Sequence, residues 1–219
     1  MPRKKISEFR AKTILAKDLG TAYGGTMIDG KTNWRAAVDG LDAGGSYVVK
    51  VDQGVKGRFK KGLVKLGRTK AEVAGDIAEL ADKGFEFMLV EPQLDHADDA
   101  ERYLALERQR AGTMINWSAA GGVNVEAAAD ETQRALLTDE VAGRAAAALG
   151  VPAETLQALA KSFNDNYWSF LEVNPLVVVD GKVGLLDAAV EVDTEAAFFV
   201  EGRWTPEDFR SYAAAAPLP

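Results

Sequence analysis

The chain has 219 residues, 47% of them hydrophobic, a formal net charge of −7 and no cysteine. That size and composition suit one domain or two closely joined lobes around a packed core and exclude wholesale disorder. They also exclude disulfides, thiolate nucleophiles and cysteine-ligated metals, and the negative balance argues against nucleic acid or an anionic membrane as a partner.

Apolar runs such as Leu176 to Val179 are far too short to cross a bilayer, and Lys4 and Lys5 lead into a charged amphipathic segment, not a signal peptide. A cytoplasmic setting is the expectation. Arg3 to Lys5 reads as a solvated basic tail. Ser7 to Leu19 reads as a helix with Phe9, Thr13 and Leu15 to Ala16 on roughly one face, and Ser46 to Val51 as a strand to which Leu63 to Leu66 returns. Thr69 caps a helix running to Lys83, with Val73, Ile77 and Leu80 to Ala81 as its apolar stripe and Gly84 as its stop. Phe87 to Val90 is a strand. Arg102 to Arg108 and Thr113 to Trp117 flank Gly112 as a hairpin, and Gly150 and Pro152 separate a helix over Thr138 to Leu149 from another over Ala153 to Phe163. Leu171 to Val179 and Lys182 to Val190 are strands, and Thr205, Pro206, Glu207 and Asp208 start a last short helix before the frayed end from Ala213. Hairpins mixed with helices argue for an α+β, mixed or antiparallel architecture over a doubly wound parallel sheet.

Leu171 to Asp187 carries the most information. Asp180-Gly181 between apolar strands signals a two-residue type I′ turn. Val179 then pairs with Lys182, and counting outward sets Asn174 opposite Asp187, on one face and about 5 Å apart at Cβ. An amide oxygen and a carboxylate so placed suit Mg²⁺ held jointly with nucleotide phosphates. The plainer alternative is a polar pair on an exposed sheet face. Against it, the surrounding strand residues are almost wholly apolar, which encloses the pair at least in some measure. Glu172, on the same face, adds charge to the metal shell or pairs with a cation.

Lys50 ends a strand and is followed by the basic, glycine-rich stretch Asp52 to Gly62, which includes Lys56, Arg58, Lys60 and Lys61. Glycines let backbone amides approach an anion and the cations supply charge, so the loop suits a polyphosphate, although a solvated turn has the same composition. It is not a P-loop, because Gly-x-x-x-x-Gly-Lys-Ser/Thr does not occur. Val90-Glu91-Pro92-Gln93-Leu94 leaves its strand in an extended form whose backbone can meet an adenine edge. Glu101 follows at a distance suited to ribose hydroxyls; an ordinary strand exit is the alternative.

Taken together these segments resemble the ATP-grasp region of the β subunit of succinyl-CoA synthetase and, more closely, the N-terminal domain of ATP-citrate lyase. The matching pieces are Ser7 to Lys12, Val48 to Gln53 with its basic loop, Val90-Glu91-Pro92, Gly121-Gly122-Val123-Asn124-Val125 and the Leu171 to Asp193 hairpin. They run in family order over roughly residues 6 to 204. The resemblance implies an ATP-grasp domain over 1–204, two lobes enclosing a nucleotide cleft. The small lobe spans about 21–94, the larger about 95–204 plus the N-terminal helix 6–20, and 205–219 forms a short C-terminal helix and tail. It implies Mg²⁺ and ATP as ligands. Lys50 and Arg58 are then the catalytic phosphate contacts, Glu91 with the Gln93-Leu94 backbone holds adenine, Glu101 holds ribose, Gly121 and Gly122 line the nucleotide, and Asn174 and Asp187 hold the metal.

The resemblance further implies phosphorylation of a histidine, which passes the phosphoryl group to a citrate- or succinate-type carboxylate for capture by CoA. His96, the single histidine, reads as a surface or structural residue. The phosphorylated one is therefore expected on a CoA-binding partner subunit in a hetero-oligomer, with the small carboxylate reached through that partner. Three departures stand out: Phe59 and Ala120 occupy positions where the family usually has glycine and glutamate, and the chain stops soon after Trp204. They leave open two alternatives, a nucleotide-binding regulatory or degenerate module without turnover and a stand-alone carboxylate ligase.

Overall fold

A computed structural model describes residues 3–30, 32, 34–122 and 131–209; the expectations for Val123 to Val125 and for the tail from Ala213 lie outside the described residues. The strands are β1 (Arg3–Lys5), β2 (Thr26–Asp29), β3 (Tyr47–Val51), β4 (Val64–Arg68), β5 (Phe87–Pro92), β6 (Arg102–Gln109), β7 (Gly112–Ser118), β8 (Gln133–Leu136), β9 (Trp168–Val179), β10 (Lys182–Leu185) and β11 (Ala188–Asp193). The helices are α1 (Glu8–Asp18), α2 (Trp34–Asp39), α3 (Lys70–Asp82), α4 (Asp139–Leu149) and α5 (Ala153–Asp165). Among the described residues every strand pair is antiparallel, so the architecture is α+β, as expected.

The chain divides into two compact units, one built from Met1–Ala22 with Leu94–Asp208, the other around Tyr23–Gln93. In the second, a four-stranded sheet of order β2-β5-β3-β4 packs against α3. Val49, Val51, Ile77, Leu80 and Met88 fill its core, all inaccessible to solvent. The helix starts where the sequence places it: Thr69 accepts from the Glu72 backbone N–H while the Glu72 carboxylate accepts from the Thr69 N–H, a reciprocal capping box.

In the first unit the sheet order is β1-β11-β9-β6-β7-β8, with β10 also on β9. Helices α1, α4 and α5 pack on β11, β7 and β9 respectively. Asp180 and Gly181 both have positive φ, 51° and 73°, as a type I′ turn demands, and Val179 pairs with Lys182. The register runs unbroken from that turn to Ala188 opposite Val173.

Four details differ from the sequence-based expectations. Arg3–Lys5 is not a solvated tail but an edge strand paired with Glu191–Asp193, because backbone hydrogen bonds hold it while its side chains stay largely in water. The second hairpin strand is interrupted at Leu186 and Asp187, opposite the cis Asn174–Pro175 bond, and forms β10 and β11 rather than one run. Strands β2 and β8 and helix α2 are additional elements, too short to carry a periodic signal. Lastly, α1 buries Ala11, Ile14 and Leu15 together with Glu8 and Lys12, rather than the Phe9–Thr13 face. Two charges are tolerated there because they neutralise each other: Lys12 Nζ lies 2.9 Å from the Glu8 carboxylate, with side-chain exposures of 4% and 3%.

Candidate functional site

In the unit around Tyr23–Gln93, β3 and β5 are adjacent, and this brings Lys50 and Glu91 together. Their Nζ–Oε2 separation is 2.7 Å, and Tyr23 donates its hydroxyl to Glu91 Oε1 at 2.8 Å. Both carboxylate oxygens therefore have partners, as an acid only 8% exposed requires. Arg58, from the loop after β3, donates Nη1 to the Val51 carbonyl at 2.8 Å, which folds the loop back on its own strand. Gly54, Gly57 and Gly62 take positive φ in this loop, while Lys56, Lys60 and Lys61 are exposed and Phe59 is 57% exposed. Lys65, on β4, pairs with Glu79 of α3 at 3.1 Å. The Gln93 amide donates to the Ser46 carbonyl at 2.8 Å, and its side-chain oxygen accepts from the Gly67 N–H at 2.5 Å. Gln53 joins the loop to β5, accepting from the Glu86 and Phe87 amides at 2.6 and 3.1 Å.

In the other unit, Leu94, Glu101, Gly122, Asn174 and Asp187 form one connected series. His96 lies 2.9 Å from the Leu94 carbonyl through Nδ1 and 3.2 Å from Glu101 Oε1 through Nε2. Carbonyl and carboxylate only accept, so both contacts are hydrogen bonds only when the ring carries two protons. Burial pushes the His96 pKa down; the Leu94 carbonyl, the bond to Glu101 and the charges of Glu101 and Asp98 outweigh it, and the net shift is upward. The other Glu101 oxygen lies against Gly122, where a Cβ would overlap it; a Cβ at Gly121 would instead overlap the Arg102 backbone. These two glycines are therefore sites of close approach.

Gly122 in turn holds Asn174: its N–H donates to Asn174 Oδ1 at 2.6 Å and its carbonyl accepts from Asn174 Nδ2 at 3.3 Å. That pairing settles which end of the carboxamide is oxygen. Across the strands, the Asn174 N–H donates to the Asp187 carbonyl at 3.1 Å, the register that the Asp180-Gly181 turn dictates. Burial alternates along β9 and β11, with Leu171, Val173, Ala188 and Val190 inside, so Glu172, Asn174 and Asp187 fall on the half-buried face. Tyr103 is on this face too, its phenol pushed up to about 12 by burial and then by the Glu172 charge.

Among the described residues no group of three or more His, Cys, Asp or Glu could hold a metal alone. One carboxylate and one anchored amide oxygen do suit Mg²⁺, which takes few protein ligands and completes its shell from phosphates and water. Sequence reasoning missed Tyr23, whose only signal is an aromatic beside Gly24 and Gly25, and Lys12, hidden by its charge on a helix face read as polar.

No helix among the described residues is long and apolar enough to cross a membrane. The ATP-citrate synthase ATP-grasp domain family matches residues 2–204. ATP-citrate synthase alpha chain protein 2 of Arabidopsis thaliana is 30% identical over 237 residues, covering 95% of this chain and 56% of that protein. The succinate–CoA ligase [ADP-forming] β subunit of Bacillus licheniformis is 29% identical, covering 88% of this chain and 58% of that protein. The chain thus spans just over half the length of these relatives. Among solved structures, ATP citrate lyase from Methanothrix soehngenii in complex with citrate and coenzyme A superposes with a TM-score of 0.74 at 20% identity, over 95% of this chain and 57% of that one. The fold is ATP-grasp, and the chain belongs to the ATP-citrate synthase ATP-grasp domain family.

Proposed function

We propose that this chain is the nucleotide-binding subunit of an ATP-citrate lyase- or succinyl-CoA synthetase-type enzyme, working with a partner that carries the CoA site and the phosphorylated histidine. The observation that carries this reading is the Asn174–Asp187 register, with the Asn174 amide oxygen fixed by Gly122. In it, residues 1–204 are the ATP-grasp domain, and the protein works in the cytoplasm as a hetero-oligomer.

Asp187 and Asn174 hold Mg²⁺, which neutralises charge on the phosphates when bound. Lys50 and Arg58 contact the phosphates. The Lys50 ammonium, which can only donate, also faces Glu91. Glu91 and the Gln93-Leu94 backbone orient adenine, Glu101 takes the ribose hydroxyls, and Gly121 and Gly122 line the nucleotide. The γ-phosphoryl group passes from ATP to a histidine nitrogen of the partner with ADP as leaving group. A carboxylate oxygen of citrate or succinate then takes it from the histidine, and the CoA thiol displaces phosphate from the acyl carbon. The names of the relatives, an ATP-citrate synthase and an ADP-forming succinate–CoA ligase, support an ATP-dependent, CoA-ligating type of reaction.

The test is calorimetry of ATP binding with Mg²⁺ and with EDTA. Wild type gains affinity with Mg²⁺ and Asp187→Ala loses that gain; an undiminished gain in Asp187→Ala defeats the metal assignment. A second reading, nucleotide binding without turnover, is favoured by Ala120, whose methyl stands where the resemblance implies a glutamate. Tight Mg-ATP binding with no partner labelling by γ-³²P-ATP would select it.

A further inference from the structure

We propose that Lys12, buried in α1, is a positioning residue for Asp187. This role rests on the metal reading above. Lys12 Nζ donates to the Leu186 carbonyl at 2.8 Å while paired with Glu8. That carbonyl belongs to the peptide unit whose N–H is that of Asp187. Because the unit is planar, fixing its oxygen fixes the plane that enters the Asp187 Cα. The plane that leaves is fixed as well, since the Asp187 carbonyl accepts from the Asn174 N–H at 3.1 Å. Two fixed planes meeting at one Cα determine φ and ψ, and with them the direction of Cα–Cβ. The Leu186 N–H donates to the Pro175 carbonyl at 3.0 Å and completes the anchorage.

The location explains the need. Leu186 and Asp187 fall in the interruption between β10 and β11, where the regular ladder does not orient each peptide. A cation sent up from the helix layer does so instead. A charge on a side chain only 4% exposed is costly to bury, and acceptors such as Glu8 and the Leu186 carbonyl make the burial tolerable.

The test compares wild type, Lys12→Met, Lys12→Arg and Glu8→Gln/Lys12→Met in the full chain. The double variant removes both charges together, so no lone carboxylate is left in the core. Calorimetry of ATP across a Mg²⁺ series gives the Mg²⁺ midpoint, ATP in EDTA gives the metal-free affinity, and circular dichroism confirms folding. In both Lys12→Met backgrounds the midpoint rises by about 10- to 100-fold, the usual effect of removing a group that orients a metal ligand, while metal-free affinity holds. Lys12→Arg, which keeps a donor and a positive charge, restores the midpoint. A folded double variant with the wild-type midpoint overturns the positioning role alone. A wild type whose ATP affinity ignores Mg²⁺ overturns the metal reading and this role with it, and the parent chain reveals that difference by itself.

Discussion

Lys50 on β3 and Glu91 on β5 form an ion pair of 2.7 Å with side chains 7% and 10% exposed. Removing one member leaves the other charged and largely out of water, which costs about 3–5 kcal/mol where a pair is buried. Lys50→Met is therefore expected to lower the unfolding midpoint in urea and to weaken ATP binding. Lys50→Met/Glu91→Leu should recover most of the stability and none of the affinity. A double variant that binds ATP like wild type would show that the pair is only structural.

Gly121 and Gly122 are expected to fail differently. At Gly121 an added methyl meets the Arg102 backbone, which cannot yield, so Gly121→Ala should destabilise the fold most. At Gly122 it meets the end of the flexible Glu101 side chain. There the backbone cost is that of alanine at φ +66°, on the order of 1–2 kcal/mol, and the larger effect is displacement of Glu101. Wild type should prefer ATP to its 2′,3′-dideoxy analogue, and Gly122→Ala should lose much of that preference. Equal preference in both proteins would remove Glu101 from the ribose.

His96 gives a pH dependence whose sign follows from its raised pKa. The folded protein holds the imidazolium more tightly than the unfolded chain. This contribution to stability is complete below the ordinary histidine pKa of about 6.5 and fades as pH rises through the folded value. The unfolding midpoint of wild type relative to His96→Asn should therefore fall on going from pH 6 to pH 8. Glu101→Gln should reduce the dependence. As the single histidine in the chain, its ring resonances can be followed by NMR without assignment. A titration midpoint at or below 6.5 contradicts the hydrogen-bond assignment.

The Asn174–Asp187 register was legible because it is local: one Asp-Gly turn sets the pairing of every residue counted from it. The helix over Lys70–Asp82 was legible for a similar reason, since its cap, stripe and stop lie within one segment. What stayed hidden depends on distant regions of the chain. Lys12 looks solvent-facing until its partner carbonyl at Leu186 is in place, and Arg3–Lys5 is a strand only because β11 lies beside it. The bond from Tyr23, three residues before β2, to Glu91 depends on the β2–β5 pairing, which no short pattern announces. Short edge elements such as β2 and β8 fail for want of length, and the interruption at Leu186 breaks an apolar run that reads as continuous.

Strand β9 sets Leu171 opposite Leu106 on one side and opposite Val190 on the other. Its first neighbour is made long before it and its second soon after, so the loop closed by β6 pairing is entropically the harder step. Glu101, immediately before β6, and Asn174, within β9, both meet Gly122, which means these groups assemble only once that longer-range pairing of β9 is complete. A ligand that needs all of them recognises finished molecules alone, and by mass action it draws nascent chains toward that end point.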